Sequence, residues 1–429
     1  MIKYLKENFD KEITIQGFVD KIRNLQYVAF IIIRNNNDKV QLTIEKENND
    51  ELVKIVDSLT LESTVKITGK VIENEKVKLN GMEIIPSKIE ITSKSLPELP
   101  IDYKNKDNTL RETRLDYRFL DLRREDNKLL FKVQSFMEHM MRQYWFENNY
   151  QEIHTPKISG SGAESGAEMF KLDYFGKTAY LSQSPQLYKQ MTMASEFDKV
   201  FEIGPVFRAE NSHTSYHATE IEMVDVEISW VDKVEQVMLE EEKWLKYVFN
   251  KVYEKYKDEI KEQFKIELQP INYDFPRLEF SEVKEILKNQ YVGEKEDDID
   301  RTEEELIGKY VKEKYNSDFV FITNYPYEAR GFYVRKDENR TETFDLLYKG
   351  IEITSGAIRE NRYDVLKSQI IEKGYDPKNF EFYLEFFKYG MPPHGGFGVG
   401  MNRILMRLFE IDNIREATLI YRGPTRLNP

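Results

Sequence analysis

Between Glu12 and Ile91 the chain is cut into short runs rich in β-branched and aromatic residues: ITIQGFVDKI, YVAFIIIRN, KVQLTIEK, STVKITGKVI and KVKLNGMEIIPSKIEIT. Asn, Asp and Gly separate them, and runs of this length between turn formers predict five strands. A helix, roughly Asp50 to Leu59, falls between the third and the fourth. That order suggests a small Greek-key barrel of the OB type, whose face commonly binds single-stranded nucleic acid. A barrel without a ligand would read the same way, so the fold alone assigns no function.

The segment SLPELPIDYKNKDN (95 to 108) has two prolines and no apolar periodicity, which predicts a linker. The expected organisation is a barrel domain over 1–94, a linker or hinge over 95–128 and a second domain over 129–429. The second domain opens on LLFKVQSFMEHMMRQYWFENNY (129 to 150), apolar at helical spacing, whose Met and Phe stripe reads as core or dimer packing. Strands are expected near 200–207, 221–230, 319–324, 341–347 and 351–355, with an acidic helix-rich piece over about 233–315. The last 40 residues read as loop, glycine-rich strand, helix and short strand.

Composition removes whole classes of chemistry. No cysteine occurs among the 429 residues, which excludes disulfides, thiolate zinc sites and Cys nucleophiles, and five scattered His argue against an imidazole metal cage. No run of 18 apolar residues is present, and the start MIKYLKENFDKEITIQG has no apolar core or cleavage site, so a cytoplasmic protein with no membrane partner is expected. The formal charge of −13 argues against non-specific coating of nucleic acid, and no DNA partner is expected. Residues 1–94 hold 15 Lys and Arg against 15 Asp and Glu, so a polyanion is repelled least there.

Two nucleotide-binding patterns fail. GKT at 176–178 would need a glycine where Lys171 stands, so it is not a P-loop. GGFGVG at 395–400 has no opening βαβ unit, and Arg403 stands where the third glycine of a dinucleotide fingerprint belongs.

Three other segments set charged residues inside apolar strands, a costly arrangement unless they face a ligand. FEIGPVFRAENSHTSYHATEIEMVDVEISW (201 to 230) places Arg208 and Glu210 at the entry of a polar loop. FDLLYKGIEITSGAIRENRYDVL (344 to 366) spaces Glu352, Ser355 and Arg359 so that they could converge at a strand end. GMPPHGGFGVGMNRILMRLF (390 to 409) has glycines that admit a planar ligand, with Arg403 opening a helix. A structural ion-pair network is the plain alternative for any one of them.

Together they resemble the motifs of class II aminoacyl-tRNA synthetases. TPKISGSG, closing the 129–160 stretch, is similar to motif 1 with its interface proline at Pro156; FRAE, a loop and EMVDVEIS resemble motif 2; GFGVGMNR fits motif 3. Within that class QSPQLYKQ (183 to 190), GAESGAEMF (162 to 170), GIEITSGAIRENRY, GMPPHGGFG and IREATLIYRGPTRLNP resemble aspartyl-tRNA synthetases of the archaeal and eukaryotic type. The resemblance implies an α+β fold, an OB barrel followed by a catalytic domain with a mixed, mainly antiparallel sheet flanked by helices.

It also implies activation of L-aspartate with ATP, using Mg2+, and transfer to tRNA(Asp) by a homodimer. On this pattern Arg208 and Arg403 are the catalytic cations, and Glu164, Gln186, Lys189, Arg208, Ser355 and Arg359 bind aspartate. ATP would meet Arg208, Glu210, His217, Glu352, Gly400 and Arg403, with Glu352 and Ser355 holding the metal, a hard ion suited to oxygen ligands. Phe30 and Gln41 would take an anticodon base, unless Phe30 is barrel core.

Two positions depart from the pattern at the ATP end. Tyr216 precedes His217 where the family has arginine, and Asn402 precedes Arg403 where it has an acid. The expectation is one lost phosphate contact, covered by His217 or Arg208. Phe18 leaves charging of tRNA(Asn) open. Two rivals stand beside this reading: a paralogue passing aspartyl-adenylate to ammonia or another amine, and a non-catalytic RNA-binding protein on the same fold.

Overall fold

The computed structural model describes residues 1–160, 168–338 and 340–429. The chain divides into two compact units, Met1–Leu110 and Arg111–Pro429.

In the first unit the strands Glu12–Asn24, Val28–Asn35, Asp38–Glu45, Met82–Ser93 and Thr64–Glu73 close, in that neighbour order, into a barrel. Alternation drives the closure. Along Val28–Asn35 the side chains of Ala29, Ile31 and Ile33 are buried while Val28, Phe30 and Ile32 face out, the period-2 signature of a half-buried strand. The helix Asp50–Ser58 adds Leu52 and Val56 to the same core. The proline-bearing segment after the last strand is not free chain: Tyr103 is buried and its hydroxyl donates to Glu62, which also takes Arg34 Nη2 at 2.7 Å.

The second unit is built on an eight-stranded sheet in the order Arg277–Glu279, Phe319–Thr323, Thr343–Tyr348, Ile351–Ile358, His394–Gly400, Glu220–Ser229, Lys199–Phe207 and Gln151–Glu152. Its two outermost pairs are parallel and the rest antiparallel. One face packs on the long helices Glu125–Glu147 and Val234–Phe264, with Trp145, Trp244, Phe201 and Phe397 in one aromatic cluster. Residues 111–128 belong here, where the buried Arg118 donates to the carbonyls of Glu416, Thr418 and Leu419 at 3.2, 2.9 and 3.1 Å. The short strand expected at the end of the chain does not form; its place holds an isolated bridge between Gly423 and Arg426.

One residue strains this core. Glu241 lies on the Val234–Phe264 helix, fully buried under the sheet, and neither carboxyl oxygen has a well-formed hydrogen bond. Burial pushes its carboxyl up to about 8, against a smaller opposing pull from Thr354. The folded state therefore keeps a proton that the unfolded chain gives up near 4.5, and stability is lost as pH rises from there to about 8. Glu241→Gln, neutral throughout, should match the wild type at pH 4 and exceed it by a few kcal/mol, roughly 1.4 per pKa unit, at pH 9 in denaturant melts.

Candidate active site

Register across the sheet decides what meets on its open face. Glu202 pairs with Asp225, Asp225 with Gly398, Gly398 with Ser355, and Ser355 with Asp345. One row of the face thus carries three carboxylates and a serine, and the next row pairs Glu227 with Gly396 and Gly396 with Ala357. The helix Gln186–Ala194 packs above them and buries Gln186, Lys189, Gln190 and Met193, a single stripe at helical spacing.

Lys189 and Arg359 come together on Glu227. Lys189 Nζ lies 3.1 Å from Asp225 Oδ1 and 3.2 Å from Glu227 Oε2, and it also reaches the carbonyls of Val226 and Phe397. Arg359 donates from Nε and Nη2 to the two oxygens of Glu227 at 2.9 and 3.2 Å. All four side chains are nearly inaccessible. Burial pushes Asp225 up, whereas Arg359 and Lys189 overcome burial and hold Glu227 below the usual carboxylate range. Glycine is required at position 396 for this packing: a Cβ there would stand 2.1 Å from Val226 O and 2.3 Å from Glu227 Oε2. The room expected for a planar ligand is, at Gly396, taken by the protein's own carboxylate.

A neutral chain of hydrogen bonds orients Gln186. The His394 Nδ1 faces Pro392 O at 2.8 Å and must donate to it, so Nε2 accepts from Gln190 Nε2 at 2.9 Å. Gln190 Oε1 is then left to accept from Gln186 Nε2 at 3.0 Å and from the Tyr383 hydroxyl at 2.9 Å. Burial pushes His394 down, which keeps the imidazole neutral. Gln190, His394 and Tyr383 were not picked out from the sequence, because their partners lie far along the chain.

The second cluster surrounds Glu352. At the Leu346–Leu347 step the strand Ile351–Ile358 carries one extra residue, Ile353, so Glu352 and Ser355, three residues apart, share a face. Arg403 Nη1 donates to Glu352 O at 2.8 Å and lies 3.7 Å from Glu352 Oε2; Gly400 caps the helix that carries it. Glu304 accepts from the Glu352 amide at 3.0 Å. Arg330, absent from the sequence reading, grips Asp345 through Nη1 and Nη2 at 3.0 and 2.6 Å, touches Ser355 Oγ at 3.3 Å and stacks on Tyr325.

Burial, then Asp345, pushes Glu352 up to about 7, with Glu304 adding to it. Asp345, Glu304 and Glu352 converge here, each with an arginine partner, and carboxylate oxygens are the donors a hard divalent cation takes. Among the described residues no group of three or more His, Asp or Glu side chains is placed to hold a metal ion.

The loop 208–219 joins the strands Lys199–Phe207 and Glu220–Ser229, and it is closed by Arg208 N to Thr219 O at 3.0 Å. The Arg208 guanidinium makes no ion pair or hydrogen bond among the described residues. His217 is pushed down by burial and by the charges of Arg403 and Arg208, with Glu210 opposing from 3.9 Å. Loop and helix residues named in the sequence reading therefore share one electrostatic neighbourhood. Asn402 does not join them: its buried amide donates to Ala417 O at 3.0 Å and Thr418 Oγ1 at 3.2 Å. The expectation that it touches the ATP end is corrected, and an aspartate there could not make those donations. Beside Pro156, Thr155 and Lys157 both bind Glu202. Glu164 lies outside the described residues.

On the barrel, Phe30 is half-buried on the outer face and not in the core. It pairs with Thr43, and Gln41 pairs with Ile32 and Glu83, so an aromatic ring and an amide share one outward patch. Gln41 Nε2 reaches Thr43 Oγ1 at 3.2 Å. Phe18 lies under the Arg34 guanidinium at 5.3 Å.

A sequence model described as tRNA synthetases class II (D, K and N) matches residues 110–421, and one described as an OB-fold nucleic acid binding domain matches residues 13–92. The chain belongs to the class II tRNA synthetases. It is 42% identical over 425 residues to the aspartate–tRNA(Asp) ligase of Pyrococcus abyssi, covering 98% of this chain and 96% of that one. It is equally 42% identical to the aspartate–tRNA(Asp/Asn) ligase of Methanopyrus kandleri, over 99% and 97% of the two chains. Among solved structures, the asparaginyl-tRNA synthetase of Pyrococcus horikoshii complexed with asparaginyl-adenylate superposes with a TM-score of 0.90 at 31% identity, over 99% and 97%. The aspartyl tRNA synthetase of Entamoeba histolytica superposes with a TM-score of 0.87 at 33% identity, over 100% and 92%, so backbone shape is common to synthetases named for the acid and for the amide, and side chains must tell the two apart.

In this synthetase the Glu227 cluster is a buried ion network. Glu227→Ala leaves Lys189 and Arg359 short of their shared anion, and it should cost about 3 to 5 kcal/mol of stability. Chemical denaturation of the two proteins at neutral pH measures it.

Proposed function

We propose that the chain is an aspartate–tRNA ligase: it activates L-aspartate with ATP and transfers it to the 3′ end of tRNA(Asp), with tRNA(Asn) as the second acceptor to assay. The observation that carries this reading is the buried pair Lys189 and Arg359 set against one firmly ionised partner, Glu227. Asp225, the other anion, is pushed up by burial and meets Lys189 at 3.1 Å, so two cations stand beside two carboxylates. A substrate carboxylate brought to them meets two cations already held in place. An amide forgoes those charge-assisted hydrogen bonds, each worth about 1.5 to 3 kcal/mol.

In the first step an α-carboxylate oxygen of aspartate attacks the α-phosphorus of ATP, the bond to the β-phosphate oxygen breaks and pyrophosphate leaves. An ionised carboxylate needs no base, so positioning and charge neutralisation are what remain for the protein to supply. Arg208, with no partner among the described residues, takes the α-phosphate and the attacking carboxylate. Arg403, in the first turn after Gly400, takes the far phosphates, with His217 and Glu210 beside it. Gln186 and Glu164 take the substrate's ammonium end, the former with its amide turned by Gln190. Glu352 and Ser355 would hold Mg2+, which neutralises phosphate charge when bound.

The outward Phe30 and Gln41 patch favours tRNA over a small amine as acceptor, since stacking on an aromatic suits an unpaired base. We place the enzyme in the cytoplasm as a homodimer joined through the Glu125–Glu147 helix and the Pro156 segment. Exposed Phe146 and Ile158 support that surface, and no helix among the described residues is long and apolar enough to cross a membrane.

Aspartate-dependent ATP–pyrophosphate exchange, then charging of total tRNA, tests the reading. Arg208→Ala should lose well over 100-fold in exchange rate, about 3 kcal/mol of transition-state charge contact; near wild-type exchange would remove the assignment. Phe30→Ala should cost charging about 1 to 3 kcal/mol and spare exchange. Equal loss in both assays would make Phe30 structural.

A further inference from the structure

The ring of Tyr216 lies under a guanidinium that comes from elsewhere in the chain. Arg301 opens the Arg301–Tyr315 helix, and its guanidinium carbon stands 4.6 Å from the Tyr216 ring centroid. Nη1 donates to Glu304 Oε2 at 2.7 Å and to Gly350 O at 2.5 Å, and Nη2 lies 3.0 Å from Glu305 Oε1. Neither Nε nor Nη2 makes a well-formed hydrogen bond among the described residues, although the side chain is only 29% exposed. The Glu304 oxygen that holds Arg301 also accepts from the Glu352 amide, and the Glu352 carbonyl accepts from Arg403. Arg301 therefore stands one carboxylate away from the Arg403 cluster, and Tyr216 adjoins His217, which feels Arg208 and Arg403. A guanidinium with unsatisfied donors, linked through these neighbours to Arg403 and Arg208, calls for a polyanion.

We propose that Arg301, carried on the Tyr216 ring, binds the triphosphate end of ATP, so that the cation missing from the loop is supplied by the helix. This rests on the ATP-dependent reading above and names a further residue for it. It also gives a reason for tyrosine at 216. Arg407 lies within electrostatic reach of both Tyr216 and Arg301, and its own Nε has no hydrogen-bond acceptor among the described residues. A guanidinium at 216 would be repelled by these two, whereas the tyrosine ring holds Arg301 on its face.

The test is an ATP titration in aspartate-dependent pyrophosphate exchange, with aspartate titrated in parallel. Arg301→Gln should raise the ATP half-saturation 10-fold or more and move that of aspartate less than 3-fold; Arg301→Lys, keeping charge without the fork, should fall between. Tyr216→Arg alone should weaken ATP, and the exchanged pair Tyr216→Arg with Arg301→Tyr should recover most of the loss. ATP half-saturation within 2-fold of wild type in Arg301→Gln, or tighter ATP in Tyr216→Arg alone, would overturn the inference. Should Arg301→Gln not fold, the Arg301→Lys and Tyr216→Arg titrations decide by the same thresholds. A wild type that exchanges no pyrophosphate with aspartate strikes the function itself; a wild type that does, with variants unmoved in ATP, strikes only Arg301.

Discussion

Two buried cations fastened to one carboxylate, Lys189 and Arg359 on Glu227, are the interaction around which the catalytic unit is arranged. Four separate segments must meet for it to exist: the helix bearing Lys189, the strand bearing Glu227, the strand end bearing Arg359, and the glycine strand that leaves room above Val226 and Glu227. Burying charges is expensive unless each is met by an opposite charge and by hydrogen bonds. Lys189 has two carboxylates and two carbonyls, and Arg359 has both oxygens of Glu227. A site assembled this way is rigid before any substrate arrives, which is what catalysis by positioning requires.

The sheet holds two charge clusters. Around Glu227 two cations and two carboxylates meet and are sealed from water. Around Glu352 the carboxylates of Asp345 and Glu304 crowd together, and arginines reach in from the rim. The bulge beside Leu346 makes the second cluster possible, because an unbroken strand would send Glu352 and Ser355 to opposite faces. On the reading proposed above the first cluster takes the acidic amino acid and the second the polyphosphate, and the register of the strands puts both on one face.

Much of this was readable from the residues. The barrel strands follow from alternation, and the structure closes them in the expected Greek-key order with the helix Asp50–Ser58 between third and fourth. Arg208, Glu352 and Arg359 stand out because charge inside an apolar run has to be explained, whereas Lys189 follows only from the resemblance carried by QSPQLYKQ. What escaped was set by contacts distant in sequence. Arg330 meets Asp345, His394 meets Gln190, and Arg301 meets Tyr216, none within a local spacing rule. Asn402 misled for a related reason: its neighbour Arg403 faces the site, yet its own side chain turns toward Ala417, as helical spacing allows. The closing strand did not form, and the last residues instead receive Arg118 and the loop at Ser215.

The central claim is that buried charge, not backbone shape, selects the acid over the amide. The direct measurement is the ratio of kcat/KM for aspartate over asparagine in pyrophosphate exchange by the wild-type enzyme. Two cations that a substrate carboxylate can bond and an amide cannot predict a ratio of 100 or more, about 3 kcal/mol, the scale of one or two charged hydrogen bonds. A ratio near one would contradict the account and show that the Lys189, Arg359 and Glu227 cluster holds the fold together without choosing the substrate.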